Sequence, residues 1–591
     1  MSYTKMEELF PKKEISLIET MEKAQIPGVS IAYLDQEGVI STREEGVTDG
    51  CGLFKMANDP TQCAFDKLGL GTKNAVVLFN DELYYVVQKE EKVHKITKNL
   101  DNEADYQKLK SRCTDTYQLA DKNDYPLLNS LTGEAPPTKV QKNTIFGAAS
   151  LSKPVFSNLV QRLIEKNSEK TAEPGVGKFI LPKEVTHFDL DTPLSSILPL
   201  QDFKIDEIPA FDTADESAVS YANDLTTRMV LSHMTGLAHG EIKFQFNPAE
   251  KAHGYSNVAI LYLQKVIETL TQSNIEALAQ KHVFGPCGML SSSFGIGRVL
   301  LSQKEPLLEE MKPSELVILQ KDGQLTAYWL ENSKLVTRTL SESAIKEIVK
   351  MLPKDSPISE NPDLIHAVVS AYGCPQLKPK AINSLRTTAK DYASFVKYLM
   401  NNKPLEDPFV PQVFMTEDKG RAGLIGVAKG NIPDSDLTHV AWGLGWGLQT
   451  EGKKATTAYH SGDMNDCRAW VAINLNDKTA VVYFANSHNG HILADQIIPK
   501  SIALDHAANY FFHKWGFARN FEELGGVYTL WGINPSLKPP ATSESMQHPL
   551  DNDKTIENPL ETEEPSTQSD THKKSMNPFQ TTLTPDDSKW T

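Results

Sequence analysis

The chain has 591 residues, 40% hydrophobic and 8% aromatic, enough to bury a large core and to build more than one domain. A formal charge of −16 supplies no basic surface for phosphates and argues against a nucleic-acid partner. No apolar run approaches the length of a membrane-spanning helix, and Met1 to Phe10 lack the apolar core of a signal peptide, so a cytoplasmic location is expected.

From about Glu14 the pattern predicts an amphipathic helix and then two strands, Val29 to Leu34 and Val39 to Arg43. Within residues 48–140, Ala75 to Tyr85 reads as a pair of strands and Asp105 to Arg112 as a helix. Ser150-Leu151-Ser152-Lys153 follows. If a helix starts near Ser150, residues three apart share a face, so the Lys153 amine can reach the Ser150 hydroxyl and take its proton. The first turn adds free backbone N–H groups and the positive end of the helix dipole, which favour a developing oxyanion and a neutral lysine. Taken alone, a serine three residues before a lysine is frequent in any long chain and usually marks a helix cap or a solvated face.

Further along stand Gly254-Tyr255-Ser256-Asn257 and Tyr459-His460-Ser461-Gly462. Between them, in residues 305–370, Leu316 to Thr326 parallels Ala75 to Tyr85 with a one-residue gap, and a helix is expected from Glu342 to Leu352. Two readings of these paired segments stay open: β-hairpin modules that frame a cleft or bind a protein partner, or a duplicated decoration packed on the core. Arg468 to Leu475 and Lys478 to Asn486 are β-branched runs joined at Asn476-Asp477, a hairpin signal, and a long helix is expected from Ile492 to Phe512. From Pro535 to Thr591 large apolar residues thin out and the segment reads as disordered. It fits a flexible linker or, through Glu557 to Glu564, a carboxy-terminal export or recruitment signal.

Cys51, Cys63, Cys113, Cys287, Cys374 and Cys467 lack paired metal-ligand spacing and read as free buried thiols, although Cys51 and Cys63 could bridge in an oxidising compartment. His233 fits a hydrogen-bonded structural residue better than a ligand. With no His-Glu-x-x-His or similar pattern, neither a catalytic metal nor a cofactor is expected.

A serine-x-x-lysine pair, then tyrosine-x-asparagine, then a basic residue-x-glycine on a strand is the three-part signature of the penicillin-recognising serine hydrolases. The chain resembles that family, which includes class C β-lactamases, D-alanyl-D-alanine carboxypeptidases, D-amino-acid peptidases and related esterases. Gln25 to Ala32, Phe188 to Leu194, Leu225 to Leu237, Ser384 to Ala393 and Trp442 to Trp446 fall in the family's order, so the likeness covers roughly 14–47, 141–300 and 375–515. It implies an α/β (α+β) fold: an antiparallel sheet flanked by helices plus a mostly helical subdomain, with the active site between them. On that frame 1–47, 141–304 and 371–534 form the core, 48–140 and 305–370 are insertions, and 535–591 is a tail.

The resemblance also implies roles. Ser150 would attack a carbonyl to give an acyl-enzyme, and Lys153, buried and desolvated, would take its proton. Tyr255 would act as base for acylation or carry a proton to the leaving group, while Asn257 would orient Lys153 and hold a substrate amide. The backbone N–H groups of Ser150 and Asp463 would form the oxyanion hole, beside a substrate-binding strand of His460, Ser461 and Gly462, where glycine permits close approach. Class C enzymes carry lysine where His460 stands. A largely neutral histidine lacks that fixed charge and moves the expectation from an efficient β-lactamase towards a peptidase or esterase, unless Arg468 points into the cleft and restores the charge. The loop Asn247 to His253 departs from the family's glycine and aromatic approach to the tyrosine. The expected activity is hydrolysis of an amide or ester in a small-molecule or peptide substrate. The alternative is a catalytically weak binding or scaffold protein that works through its insertions.

Overall fold

The computed structural model describes residues 17–24, 26–46, 75–79, 82–87, 92–96, 103–112, 117–119, 140–168, 176–204, 211–212, 216–302, 304–307, 311, 314–321, 324–331, 334–339, 358–359, 362–371, 378–404, 406–417, 433–464, 467–487 and 489–515. Its centre is an eight-stranded antiparallel sheet in the order Val413–Phe414, Val440–Trp442, Gly447–Glu451, Lys454–Met464, Cys467–Asn474, Thr479–Ala485, Gly28–Leu34 and Ile40–Gly46. Gly28–Leu34 and Thr479–Ala485 are buried at every position, the mark of strands covered on both faces. The expected hairpin forms where the Asn474 side-chain oxygen accepts the backbone N–H groups of Asn476 and Asp477, at 3.0 and 3.1 Å, and Lys478 turns left-handed.

Alternation along the strands sends side chains into two cores. Ala469, Val471 and Ile473 share a core with Val155, Leu159 and Leu163 of the helix Ser152–Ser168. Trp470, Ala472 and Tyr483 face the opening helix Leu17–Ala24 and the terminal helices, against Leu493, Phe511 and Phe512. The single long helix expected from Ile492 to Phe512 is instead two, Gly490–Ser501 and Asp505–Trp515. Pro499 cannot donate its backbone nitrogen, and Ile502 is extended at φ −141 and ψ 132, so the first helix ends there and the second restarts at Asp505.

Two further sheets carry the paired segments. Ala75–Phe79, Glu82–Val87 and Lys92–Ile96 form an antiparallel meander, as do Glu315–Lys321, Gln324–Glu331 and Lys334–Thr339. A helix follows the strands in each region, Glu103–Arg112 and Pro362–Ala371. The sheets differ beside the first meander strand: Tyr117–Leu119 pairs antiparallel in one, and Arg298–Ser302 parallel in the other. The second sheet thus takes in residues upstream of 305, and it has its own core of Ile296, Leu316, Ile318, Trp329, Leu364 and Val368. The helix expected at Glu342 to Leu352, the segment 535–591 and Cys51, Cys63, Cys113 and Cys374 lie outside the described residues. Cys287 is a free thiol, and burial pushes it up to about 12. Among the described residues no helix is long and apolar enough to cross a membrane.

The junction into the second sheet is built on Glu276. Its carboxyl is fully buried, accepts the Phe294 backbone N–H and the Gln280 side-chain amide, and abuts Gly297, where a Cβ would come within 2.4 Å of the Glu276 Cγ. Desolvation pushes its pKa up to about 8, so the folded chain holds a proton that the unfolded chain releases near 4.5. Stability from this group is therefore fully present below the unfolded value and falls as pH rises through the folded one. Urea midpoints measured between about pH 5 and pH 8 should decline for the wild type and decline less for Glu276→Gln. Identical slopes would show that Glu276 does not titrate in this range.

Candidate active site

The turn that carries Ser150 is held under backbone strain. Ala149 to Leu151 form a 3-10 turn that runs into the α-helix Ser152–Ser168, and Ala149 is left-handed at φ 45 with its side chain fully buried. Neighbouring groups hold it there. The Ser152 hydroxyl donates to the Ala149 carbonyl at 2.7 Å and accepts the Leu385 N–H at 3.0 Å, and the Tyr392 hydroxyl donates to the Leu151 carbonyl at 2.9 Å. The expected helix start near Ser150 is thus a tighter turn, with the α-helix beginning at Ser152.

One turn on, Lys153 is 1% exposed and its Nζ lies 2.9 Å from the Ser150 Oγ and 3.0 Å from the Ile382 carbonyl. Burial lowers its pKa well below 10.5. The same Nζ stands 5.0 Å from the centre of the Tyr255 ring. Burial also raises the Tyr255 phenol well above its ordinary value, partly offset by a hydrogen bond with the Ser150 side chain. Ser150, Lys153 and Tyr255 therefore meet as a hydroxyl, a weakly basic amine and a neutral phenol.

Tyr255 is held from behind by two histidines. His233, left-handed at φ 54 and buried, accepts the Ser256 backbone N–H at its Nδ1 at 3.2 Å and the Gly254 N–H at its carbonyl at 2.7 Å. It thus fixes the loop on both sides of Tyr255, with the two rings 4.3 Å apart, which is the structural role the sequence suggested. His239 turns its Nδ1 to the Tyr255 carbonyl at 3.3 Å and its Nε2 to the Asn257 side-chain nitrogen at 3.0 Å. This corrects one expectation: Asn257 lies against His239, and Lys153 bonds to Ser150 and Ile382 instead. Trp442 and Trp515 close the aromatic wall, 5.9 and 5.8 Å from Tyr255.

The third segment is internal to the sheet over part of its length and an edge over the rest. Lys454–Met464 pairs with Gly447–Glu451 only as far as Gly447 opposite Tyr459, so among the described residues His460 to Met464 are strand-paired on one side, with Cys467–Asn474. Register sets their directions. Gly462 lies opposite Ala469, on the nucleophile side, and a Cβ there would come 2.7 Å from the Ala148 carbonyl oxygen and 3.1 Å from the Ala149 Cβ. Asp463 lies opposite Arg468 and Ser461 opposite Trp470, towards the terminal helices. Arg468 does not face the cleft: it is buried against Gly490 and its Nη1 donates to Asp463 at 2.8 Å. His460 is buried beside Tyr255, ring centres 6.3 Å apart, and burial pushes it down to about 3. It is neutral. Among the described residues no cluster of three histidine, cysteine, aspartate or glutamate side chains is placed to hold a metal.

The family model described as Beta-lactamase matches residues 129–497, which span all three segments. The chain belongs to the beta-lactamase family. Solved structures similar to this beta-lactamase-family chain include an octameric penicillin-binding protein homologue from Pyrococcus abyssi, at 12% identity over 82% of this chain and 75% of that one, TM-score 0.38. D-alanine carboxypeptidase AmpC from Burkholderia cenocepacia is similar at 12% identity over 81% and 95%, TM-score 0.36. A D-stereospecific amidohydrolase from Streptomyces sp. is similar at 10% identity over 82% and 98%, TM-score 0.39. No curated protein matches the chain.

Sequence reasoning missed His239, Trp442, Trp515 and the Ile382 carbonyl. The Asn257 contact spans 18 residues and the Ile382 contact 229, and neither leaves a local pattern. The close approach at Gly462 gives a test. In Gly462→Ala the added carbon meets backbone, so strand and nucleophile turn must separate, at a cost of about 1–3 kcal/mol for overpacking. Chemical denaturation should show that loss together with loss of Ser150 acylation by a generic ester; wild-type stability with full acylation would refute the contact.

Proposed function

We propose that this beta-lactamase-family chain is a serine hydrolase that cleaves an amide or ester through a Ser150 acyl-enzyme. One observation carries the reading: a fully buried lysine amine sits 2.9 Å from the serine hydroxyl, and desolvation alone is what depresses its basicity. A neutral amine has the lone pair a general base needs. Lys153 takes the Ser150 proton as Oγ attacks the carbonyl carbon, and the carbonyl oxygen becomes an oxyanion facing the N–H groups of Ser150 and Asp463. Tyr255, whose proton burial retains, donates to the departing nitrogen or oxygen as the tetrahedral intermediate collapses to the acyl-enzyme. Lys153 returns the proton it took to the Tyr255 oxygen, its Nζ standing 5.0 Å from that ring's centre. In the second half a water gives a proton to Lys153 as it attacks the acyl carbon, and the Ser150 oxygen leaves by taking that proton back, which releases the acid.

The neutral His460 supports a peptidase or esterase over an efficient β-lactamase, because it offers no fixed cation to a substrate carboxylate. The scaffold alternative draws on the two additional sheets, and nothing in the catalytic constellation favours it.

Ser150→Ala should abolish both the covalent adduct seen by mass spectrometry and turnover of a generic aryl ester, with folding unchanged. Lys153→Ala and Tyr255→Phe should each cost about 100-fold or more, the scale of losing a positioned proton-transfer group. For the wild type, kcat/KM should rise with pH along a limb set by Lys153 below 10.5 and show no fall from Tyr255 ionisation until above 10.0. A wild-type rate in Ser150→Ala would exclude the acyl-enzyme.

A further inference from the structure

A base must keep its lone pair on the proton it removes, and for Lys153 one atom outside the catalytic trio does part of that work. Among the described residues the amine bonds to the Ser150 Oγ at 2.9 Å and to the Ile382 carbonyl at 3.0 Å. An uncharged amine has two hydrogens and one lone pair. Donating one hydrogen to the carbonyl restrains rotation about the last bond of the side chain and leaves the lone pair for the Ser150 hydroxyl. After proton transfer the same carbonyl accepts a hydrogen from the ammonium, so it holds the group in both states.

Ile382 lies in the loop between Pro379 and Leu385, and its carbonyl is placed only as well as that loop is held. Gln264 holds it. This buried side chain stands about two turns into the helix Asn257–Thr271. Its Oε1 accepts the Ala381 N–H at 2.8 Å, and its Nε2 donates to the Pro379 carbonyl at 3.0 Å and lies 3.2 Å from the Glu268 Oε1. The orientation of the amide is forced, because a backbone N–H only donates and a backbone carbonyl only accepts. One amide thus grips a donor and an acceptor two residues apart, which neither an alkyl chain nor an ammonium can do. On the far side of Ile382 the Ser384 hydroxyl donates to the Phe294 carbonyl at 2.6 Å and accepts the Lys380 N–H at 2.7 Å, and the Leu385 N–H donates to the Ser152 hydroxyl at 3.0 Å. The Gln264 contact with Ala381 is immediately next to Ile382 in the chain.

We propose that Gln264 is a positioning residue of the active site: by gripping Pro379 and Ala381 it sets the Ile382 carbonyl against the Lys153 amine and aims that base at Ser150. The inference rests on the serine hydrolase reading and deepens it. It also gives the helix Asn257–Thr271 two duties. The chain enters that helix directly from Tyr255, with the Ser256 hydroxyl capping it through the Ala259 N–H at 3.1 Å. One rigid element therefore carries the phenol at its start and, two turns on, fixes the loop that orients the amine. A shift of about 1 Å in a reacting group can cost on the order of 100-fold in rate, so a side chain that never meets substrate can still set the rate.

The test follows Ser150 acylation of the full chain by 4-nitrophenyl acetate, using quenched-flow mass spectrometry to obtain a limiting rate and a half-saturating concentration. Gln264→Met, similar in shape but without either polar group, should lower the limiting rate roughly 10–100-fold and leave the half-saturating concentration unchanged. Val266→Ala, a buried position on the opposite face of the same helix, controls for lost stability: it should weaken the fold against urea and keep the wild-type limiting rate. Should Gln264→Met fail to fold, Gln264→Ala leaves room for water on Ala381 and Pro379 but no tether to the helix, and the same split is expected of it. A wild-type limiting rate in the variant that folds, a change confined to the half-saturating concentration, or an equal loss of rate in Val266→Ala overturns this inference alone. Absence of a Ser150 adduct in the wild type overturns the hydrolase reading and this inference with it.

Discussion

The structure is organised around one costly placement, an amine with almost no exposure beside a serine hydroxyl. Desolvation lowers the basicity of Lys153, and on the proposed reading this makes it the base for Ser150 without a histidine or a carboxylate to prime it. Holding the amine there requires hydrogen-bond acceptors that bring no charge, and the Ser150 hydroxyl and Ile382 carbonyl fill that role. It also requires walls that exclude water. The helix Ser152–Ser168 closes one side, and the aromatic group of Tyr255, Trp442 and Trp515 another. A buried charge is expensive in such surroundings, and five titratable groups here shift towards neutrality. Lys153, His233, His239 and His460 are all lowered and Tyr255 is raised.

That shared neutrality gives the substitution in the third segment its physical meaning. In a site that punishes charge, a histidine bonded through Nδ1 to its own chain is an acceptor, whereas a lysine would be a donor cation. The arginine that could have restored positive charge, Arg468, stands opposite Asp463 on the wrong side of the pleat and is bonded to it. The strand therefore contributes close approach through Gly462 and polarity through His460, and no net charge.

The parts legible in the sequence were those with a local cause. Ser150 and Lys153 are one turn apart, so their contact follows from helix geometry, and the strands at 29–34 and 468–486 follow from their apolar patterns and the Asn476-Asp477 turn. The terminal helix was misjudged because apolar periodicity continues through Ile502 and Leu504; Pro499 was the signal that it breaks. Arg468 could not be aimed without knowing the strand's register, because a shift of one residue would move it to the other face. Asn257 needed His239 in view, and the left-handed turns at Ala149 and His233 are imposed by tertiary contacts on residues with no preference for them.

The central claim is that Lys153 is uncharged when the enzyme works, and its titration tests that most directly. Selective isotope labelling of lysine, with the Lys153 signal assigned by its loss in Lys153→Met, would give the pKa of this one amine by NMR in the folded protein. The account predicts a midpoint well below 10.5. A midpoint at or above that value would mean the amine is a buried cation, and Ser150 would then need another base.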